Sequence, residues 1–402
     1  MENQSIVYWA PPYEIPSLID TKKNMVTNNL VKTRLLLDKI LDNVNSGDNV
    51  GIKLHFGESY NTRYLRHDYI QEVIKAVKSR GAVPTLIETQ GIGTKINKVA
   101  INADYILNLG CRKNASDHEK IAHLHGYIES VVGAPIRFID GEDGYKGRKI
   151  QINGLSFKEV FVAAGLYDFD KIIAVSRFKG HAQAGFGGAL KQIGIGCVTK
   201  KNKFLAHNEN MLSVNPKKCN ISLCRKECID ACSVDAIRIE GESSVIDPSK
   251  CIGCFNCRSA CPIKNAINRP NPNNVENFVE RVIDNAFAVL KSFGPENIRF
   301  INFAIEVTGQ CDCIPNTNMP IVPDLGIFGS SDPVAIDKAC MDAEINAPGL
   351  PFLKPNGEWT QPEAPGIEKF KKMYTMVDTN LQFQAALKNK IGTTNYKLVN
   401  IL

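Results

Sequence analysis

The sequence contains no run of about 18 apolar residues, the length that a membrane-spanning helix requires. Its first residues, MENQSIVYWAPPYEIP, lack the basic and apolar regions of a secretory signal. The net charge of +6 is too small, without a clustered basic face, to indicate nucleic-acid binding. No low-complexity tract interrupts the chain. We therefore expect a cytoplasmic protein that binds neither membranes nor nucleic acids.

Cysteine, by contrast, is abundant. The 402 residues include 13 cysteines, and eight of them lie between Cys219 and Cys261. Thiols in the cytosol stay reduced, so this count favours metal or redox chemistry over a disulfide framework. The clustering predicts one compact metal-binding module.

Outside the cysteine-rich stretch, strand patterns alternate with amphipathic helical patterns. Such alternation predicts an α/β fold with a mostly parallel sheet and covering helices. The predicted helices are 28–44 and 67–81, and the predicted strands are 6–9, 49–56, 83–89, 171–175, 298–305 and 326–328. Open sheets of this kind bind ligands at the carboxyl ends of their strands. The segments HFGESYNTR and SRFKGHAQAGFGG occupy that position.

The chain is predicted to have two parts. Residues 1–213 and 275–402 form a discontinuous α/β domain, because helical and strand patterns resume after the cysteines. Residues 214–274 form a small α+β insert that ends in the Pro/Asn-rich linker NRPNPNN.

The insert carries two cysteine runs. The second run, Cys251, Cys254, Cys257 and Cys261, has the spacing C-x2-C-x2-C-x3-C followed by Pro262. The first run, Cys219, Cys224, Cys228 and Cys232, is longer by three residues and has Ser233 where proline is usual. An Ala-Ile pair follows each run. Zinc binding and free thiols are the alternatives to iron–sulfur ligation.

These runs resemble the two-cluster bacterial ferredoxins over about 55 residues. The resemblance implies two 4Fe–4S clusters with crossed ligand sets. The first set would be Cys219, Cys224, Cys228 and Cys261, and the second would be Cys251, Cys254, Cys257 and Cys232.

The glycine-rich segment from Gly180 to Gly196 precedes the insert. Between Lys171 and Asn208 there are seven Lys or Arg residues and no Asp or Glu. Glycines permit close approach to the backbone, and N–H groups at a helix start favour anions. We expect the segment to hold an anion, with Lys191 as a positive charge or an amine nucleophile. A tight packing loop with a solvated basic face is the alternative.

Longer motifs resemble the family called domain of unknown function 362. They are KLHFGE, FKGHAQAGFGGALKQIGIG, QCDC, PIVPDLGIF and SSDPVAIDKAC. A shorter stretch is similar to the cofactor loop of nickel-pincer lactate racemases, in which a lysine holds the nucleotide and a later histidine ligates nickel. That similarity implies substrate or cofactor binding by His181, Gly185, Gly187, Gly188, Lys191 and His207.

Further candidates follow the first clear strand and lie near residue 312. Lys53 is expected to bind the substrate, while His55 and Glu58 are candidate acid/base residues. Cys311 and Cys313 form a C-x-C pair that would bind a soft metal, act as a redox pair or serve the structure alone.

The leading hypothesis is that the protein is an iron–sulfur oxidoreductase that works under anaerobic conditions. Its two 4Fe–4S clusters pass electrons to an anionic substrate or a second cofactor in the basic cleft. The second hypothesis is an electron carrier that docks on a redox partner protein and has no substrate. The third is a metallocofactor-handling protein that binds nickel or a pincer-like nucleotide.

Overall fold

The fold is described by a computed structural model for residues 4–12, 28–92, 98–100, 106–108, 112–232, 234–253, 256–268, 271–315, 319–351 and 357–402. The strands are β1 Ser5–Ala10, β2 Asn49–Lys53, β3 Val83–Glu88, β4 Lys98–Ala100, β5 Ile106–Asn108, β6 Ile136–Phe138, β7 Gly147–Gln151, β8 Glu159–Ala163, β9 Lys171–Arg177, β10 Lys179–His181, β11 Gly185–Gly187, β12 Ser213–Val214, β13 Ile237–Glu240, β14 Ser243–Ile246, β15 Ile267–Asn268, β16 Ile298–Ala304, β17 Gly326–Ser330 and β18 Tyr396–Asn400. The α-helices are α1 Asn29–Ile40, α2 His67–Lys78, α3 Ala115–Leu124, α4 Glu129–Val132, α5 Ala189–Gly196, α6 Lys200–His207, α7 Glu227–Asp230, α8 Asn256–Ala260, α9 Val275–Phe293, α10 Pro333–Asn346, α11 Lys369–Met373 and α12 Asn380–Lys388.

One eight-stranded sheet dominates the fold, with the order β18-β1-β17-β16-β9-β2-β3-β6. β17 is antiparallel to both of its neighbours, and the other seven strands run in one direction. The predicted mostly parallel sheet is therefore confirmed. From β2, the chain order increases through β3 and β6 on one side and through β9 and β16 on the other. The sheet thus reverses its order between β2 and β9.

Both faces of this sheet are buried. Along β9, Ile172 and Ala174 belong to one hydrophobic cluster, whereas Ile173 and Val175 belong to another. This alternation follows the two-residue period of a strand, whose side chains point to opposite faces. Helices α5, α9, α10 and α12 cover the first face, and helices α1 and α2 cover the second. The result is the predicted α/β architecture with helices on both sides.

The structure differs from the sequence predictions in where one strand ends and in three elements that were not predicted. β2 ends at Lys53, three residues earlier than predicted, so His55 lies beyond the strand. β6 and β18 were not predicted: both are short, and both lie at the edges of the sheet. The first part of the glycine-rich segment is also a hairpin, β10–β11, rather than a simple turn before a helix.

Residues 212–268 have a small apolar cluster of their own. Leu212, Ala236, Ile237, Ile246 and Ile267 pack there with three buried cysteines. The segment contains two short antiparallel strand pairs, β12–β15 and β13–β14.

None of the helices in the described ranges combines the length and apolarity needed to cross a bilayer.

Candidate functional site

A cleft of about 390 Å³ opens at the carboxyl ends of β2, β3 and β9. This is the point at which the strand order reverses, where open α/β sheets bind ligands. Most of the predicted site residues meet there. Those that line the cleft are Lys53, His55, Glu58, His181, Gly187, Gly188, Lys191, His207 and Cys313.

The cleft is strongly basic. Five cations, Lys53, Arg112, Lys179, Lys191 and Lys203, line it with only two carboxylates, Glu58 and Glu88. Four of these cations have partners, described below. Lys191 differs, because its ammonium makes no hydrogen bond or ion pair within the described ranges, while its stem packs near Gly187. Lys191 is therefore the cation most available to a ligand.

Glu88, which the sequence analysis missed, organises the floor of the cleft. It ends β3, and its Oε1 lies 2.7 Å from Nζ of the fully buried Lys53. Its Oε2 lies 3.5 Å from His55 Nδ1. Burial, with Arg112 as the largest charge effect, lowers the pKa of His55 well below its usual value. His55 is thus neutral at pH 7, with a carboxylate within reach.

Glu58, the other predicted acid/base residue, pairs with Arg112 in the structure. Glu58 lies in the cleft, but its Oε2 accepts a hydrogen bond of 2.9 Å from Arg112 Nε. Its Oε1 accepts another, also of 2.9 Å, from the Ser59 backbone. Both residues follow β2. His55 Nδ1 accepts a hydrogen bond of 3.2 Å from the Gly57 N–H, and the carboxylate that lies 3.5 Å from this nitrogen, Glu88, comes from the neighbouring strand. Spacing along the sequence does not show which residues of neighbouring strands lie together. The position of Glu88 at the end of a predicted strand was the one sign that it belongs to the site.

Lys203, also missed, is buried on α6. Its ammonium donates to Thr89 Oγ1 at 2.6 Å and to the Gln90 carbonyl. Burial lowers the pKa of Lys203 to about 8, despite the nearby Asp140. The lysine is therefore able to lose a proton close to neutral pH.

The N-terminus of α5 points at a carboxylate of the protein itself. Its first N–H groups, those of Ala189 and Leu190, donate to the carboxylate of Asp337 at 2.7 and 2.9 Å. Asp337 comes from α10 and is fully buried, and burial raises its pKa to about 6. Gly188 is required here, because a Cβ would lie 2.1 Å from an Asp337 oxygen. The protein supplies its own anion at this helix start, and Lys191 follows Leu190 in the same first turn.

The hairpin β10–β11 positions His181 in the cleft. Gly180 lies directly on the backbone of Gly309, since a Cβ would come within 2.3 Å of that carbonyl oxygen. Gly185, predicted to bind the ligand, instead packs on Thr379 and is not part of the cleft lining. Its φ of +80° is a conformation that glycine adopts easily.

His181 and His207 both pack against Phe278 of α9, with ring centroids 6.1 and 4.6 Å away. His207 Nδ1 lies 2.9 Å from Gln183 Oε1. Burial, followed by the charge of Lys191, lowers the pKa of His181 well below its usual range. The same causes lower the pKa of His207 to about 4. Both imidazoles are neutral at pH 7.

Acid should destabilise the protein through His207. In the unfolded chain a histidine takes up a proton near pH 6.5, but folded His207 does so only near pH 4. Between these values the unfolded state binds more protons, so the free energy of unfolding falls as the pH falls. The contribution is up to about 3 kcal/mol. Denaturant titrations at several pH values should show a shallower loss for His207→Gln than for wild type. His123→Gln, at an exposed position, should keep the wild-type slope.

Asp312 fixes the C-x-C pair on one wall of the cleft. Both of its carboxylate oxygens lie 3.1 Å from Arg177 Nε, and Oδ2 lies 3.3 Å from Lys179 Nζ. All three side chains are buried. The Glu58 N–H also donates to the Asp312 carbonyl at 2.9 Å. Cys311 and Cys313 are therefore held by β9 and by the loop after β2.

The cysteine module contains two cavities with apolar walls. Cys219, Cys224, Cys228 and Cys261 line one of them, together with Ile221, Ile229, Ile263 and Ile267. Cys232, Cys251 and Cys257 line the other, with Leu212, Ile237 and Ile246. Cys254 lies outside the described residues. The fourth cysteine of each run thus lies with the other run.

Backbone N–H groups point at sulfurs in both cavities. The Ser244 N–H donates to Cys219 Sγ at 3.4 Å, and the Ala236 N–H donates to Cys232 Sγ at 3.2 Å. Such bonds favour a thiolate over a thiol, because they stabilise negative charge on sulfur.

Helix α6 contacts both the cleft and the loop that follows Cys251. Lys203 and His207 of α6 line the cleft. Phe204, between them in sequence, packs on Gly253 in the loop between Cys251 and Cys257. A Cβ on Gly253 would lie 2.7 Å from the Phe204 ring. Lys201 adds a hydrogen bond of 3.3 Å to the Ser249 carbonyl.

Residues 50–342 match the family model described as Domain of unknown function (DUF362), and this span includes the cleft and the cysteine module. The chain belongs to this family. In addition, 57 residues of this DUF362 protein are 37% identical to a ferredoxin from Alicyclobacillus acidocaldarius, and the match covers 72% of that ferredoxin.

Two solved structures are similar at low identity. A protein from Thermotoga maritima has 13% identity and a TM-score of 0.37, and the similarity covers 77% of this chain and 58% of that chain. The lactate racemase apoprotein from Thermoanaerobacterium thermosaccharolyticum has 10% identity and a TM-score of 0.29, with 70% and 56% of the two chains covered.

Proposed function

We propose that this DUF362 protein is an iron–sulfur redox protein that passes electrons to an anionic substrate, or to a second cofactor, in the basic cleft. The contact between Phe204 and Gly253 is the observation that carries the proposal. It puts the cysteine loop against the same helix, α6, whose Lys203 and His207 line the cleft. A protein that only carried electrons would not need a basic cleft behind its cysteine loop.

We propose that each of the two cysteine cavities holds one 4Fe–4S cluster. Cys219, Cys224, Cys228 and Cys261 would hold one cluster, and Cys232, Cys251 and Cys257 would hold the other with Cys254. The apolar walls, the N–H groups directed at sulfur and the similarity to a ferredoxin all support this assignment. Clusters of this kind supply electrons, and hydrogen bonds to their sulfurs adjust the reduction potential.

The residues of the cleft would bind the substrate and supply protons. Lys191 would pair with the anionic group, because the other cations already have partners. Glu88 would accept or return a proton beside neutral His55. His181 and His207 would flank the ligand as neutral hydrogen-bonding groups.

Lys191→Ala should weaken anion binding about ten- to a hundredfold. A charge-assisted hydrogen bond contributes about 1.5–3 kcal/mol, and 1.4 kcal/mol corresponds to a factor of ten. Calorimetry with phosphate, pyrophosphate and small dicarboxylates would measure the loss. Lys158→Ala, at an exposed lysine outside the cleft lining, is the matched control. Equal affinities in wild type and Lys191→Ala would show that the glycine-rich segment is a packing element.

The other two hypotheses predict different outcomes. If the protein is an electron carrier, none of these anions should bind, while the iron–sulfur spectrum should remain. If it handles a metallocofactor, metal analysis of the purified protein should find nickel, or mass spectrometry should find an adduct on Lys191.

A further inference from the structure

Three reactive side chains meet at the wall of the cleft. The sulfurs of Cys311 and Cys313 and a ring nitrogen of His181 all lie within 4.8 Å of one another. Both cysteines are free thiols. Cys313 lines the cleft, whereas Cys311 lies behind it and is only 5% exposed. The Cys313 sulfur is thus accessible from the cleft, and the Cys311 sulfur is close enough to react with it.

The two thiols share a hydrogen bond. It lowers the pKa of Cys311 well below its usual value and raises the pKa of Cys313. Lys191 and Lys179 also favour the thiolate on Cys311. The Cys313 N–H donates to Cys311 Sγ at 3.4 Å. These effects favour the state in which Cys311 carries the negative charge and Cys313 the proton.

The imidazole of His181 is arranged for this thiolate rather than for a metal ion. Its Nδ1 accepts hydrogen bonds from the Gln183 and Ala184 N–H groups, at 3.2 and 3.0 Å. The neutral ring must then carry its proton on Nε2. Neither nitrogen offers a lone pair to a metal, and a metal-binding histidine normally donates its other N–H outward. An N–H on Nε2 is instead a donor for a sulfur anion.

We propose that Cys311 and Cys313 form a dithiol–disulfide couple that reduces a small anionic disulfide bound in the cleft. Cys313, after its proton moves to Cys311, attacks one sulfur of the substrate and displaces the other as a thiolate. Cys311 then attacks the mixed disulfide and gives its proton to the first leaving group. The substrate disulfide becomes one thiol and one thiolate, and Cys311–Cys313 becomes a disulfide.

Two electrons and one proton restore the reduced pair. The inference rests here on the proposed function, which gives the cysteine module the role of a one-electron donor. A ring nitrogen of His181 lies within 4.8 Å of both sulfurs, one of which is protonated in the reduced pair. The basic cleft selects the substrate, because five cations and two carboxylates favour a disulfide with carboxylate groups over a cationic one.

Oxidised glutathione, which is anionic, and cystamine, which is cationic, are matched probes of this idea. Full-length protein purified without oxygen would be treated with each probe, alkylated and analysed by peptide mass spectrometry. We expect a Cys311–Cys313 disulfide to form at least tenfold faster with oxidised glutathione than with cystamine. Cys311→Ser should stop at a mixed disulfide on Cys313, and Cys313→Ser should not react at that peptide. Cys340→Ala, at a core position, should behave as wild type.

Two results would overturn the inference. One is a peptide that remains doubly alkylated after treatment with oxidised glutathione. The other is a metal ion in the native protein that is lost on replacing Cys311 and Cys313. These assays do not depend on electron delivery by the cysteine module. If the proposed function is wrong, thiol–disulfide exchange with oxidised glutathione should still occur. Only the return of the Cys311–Cys313 disulfide to the dithiol, after dithionite reduces the iron–sulfur module, should then be absent.

Discussion

Protein purified without oxygen should contain about eight iron atoms and eight sulfides per chain, and Cys257→Ala should retain about half of each. The reason is that Cys257 lines only the second of the two cysteine cavities. Cys228→Ala should remove the other half, because Cys228 lines only the first. Iron and acid-labile sulfide assays, with electron paramagnetic resonance of the reduced protein, would separate the two centres.

Cys340→Ala is the control for this experiment, since Cys340 is buried in α10 and lies in neither cavity. It should keep the full iron content. A wild-type content near four iron atoms would mean that the irregular first run assembles no cluster. Zinc in place of iron would remove the basis of the redox proposal.

Asp312→Ala should lower the free energy of unfolding by about 3–5 kcal/mol. The aspartate is 1% exposed and neutralises Arg177 and Lys179, both of them buried. These cations, favourably placed beside the carboxylate, hold its pKa below the usual value despite burial. Removing the carboxylate leaves two buried cations without their counter-ion. Denaturant unfolding followed by tryptophan fluorescence would measure the loss.

Two further variants make this test specific. Arg177→Met with Asp312→Leu should lose less stability than Asp312→Ala, because replacing both partners leaves fewer uncompensated charges. Lys372→Ala breaks an exposed pair with Glu363 and should cost less than about 1 kcal/mol. Equal losses in Asp312→Ala and Lys372→Ala would show that the buried network does not stabilise the fold.

The sequence was sufficient to predict those strands and helices that have a clear local pattern of apolar residues. β9 contains the apolar run Ile172–Val175, β16 is apolar at five of its seven positions, and α2 has a clear apolar face, so the positions of these elements were predicted closely. The edge strand β18, with the pattern YKLVN, lacks such a signal because only part of it is buried. Its pairing with β1 depends on a contact across almost the whole chain.

The site shows the same division. Lys191, His181 and His207 lie in one predicted segment, and the structure brings all three to the cleft. The roles of Glu88 and Asp337 could not be predicted, because each acts on a residue from a distant element. A glycine-rich turn before a helix indicates an anion site, but a carboxylate from the same chain satisfies it as well as a ligand does. Only the three-dimensional structure identifies which anion is present.

The ends of the cysteine module meet at one place. Asn208 bridges Pro272, the Glu209 N–H donates to the Asn271 carbonyl at 2.8 Å, and the Asn273 amide donates to the Ala206 carbonyl at 2.7 Å. A segment whose two ends lie next to each other in the fold can be inserted or removed without moving the surrounding helices and strands. The same sheet and cleft can therefore exist in shorter proteins that lack the module, with a brief turn in its place. Under the proposed function, the cleft of such a protein would take its electrons from a separate molecule that docks against α6.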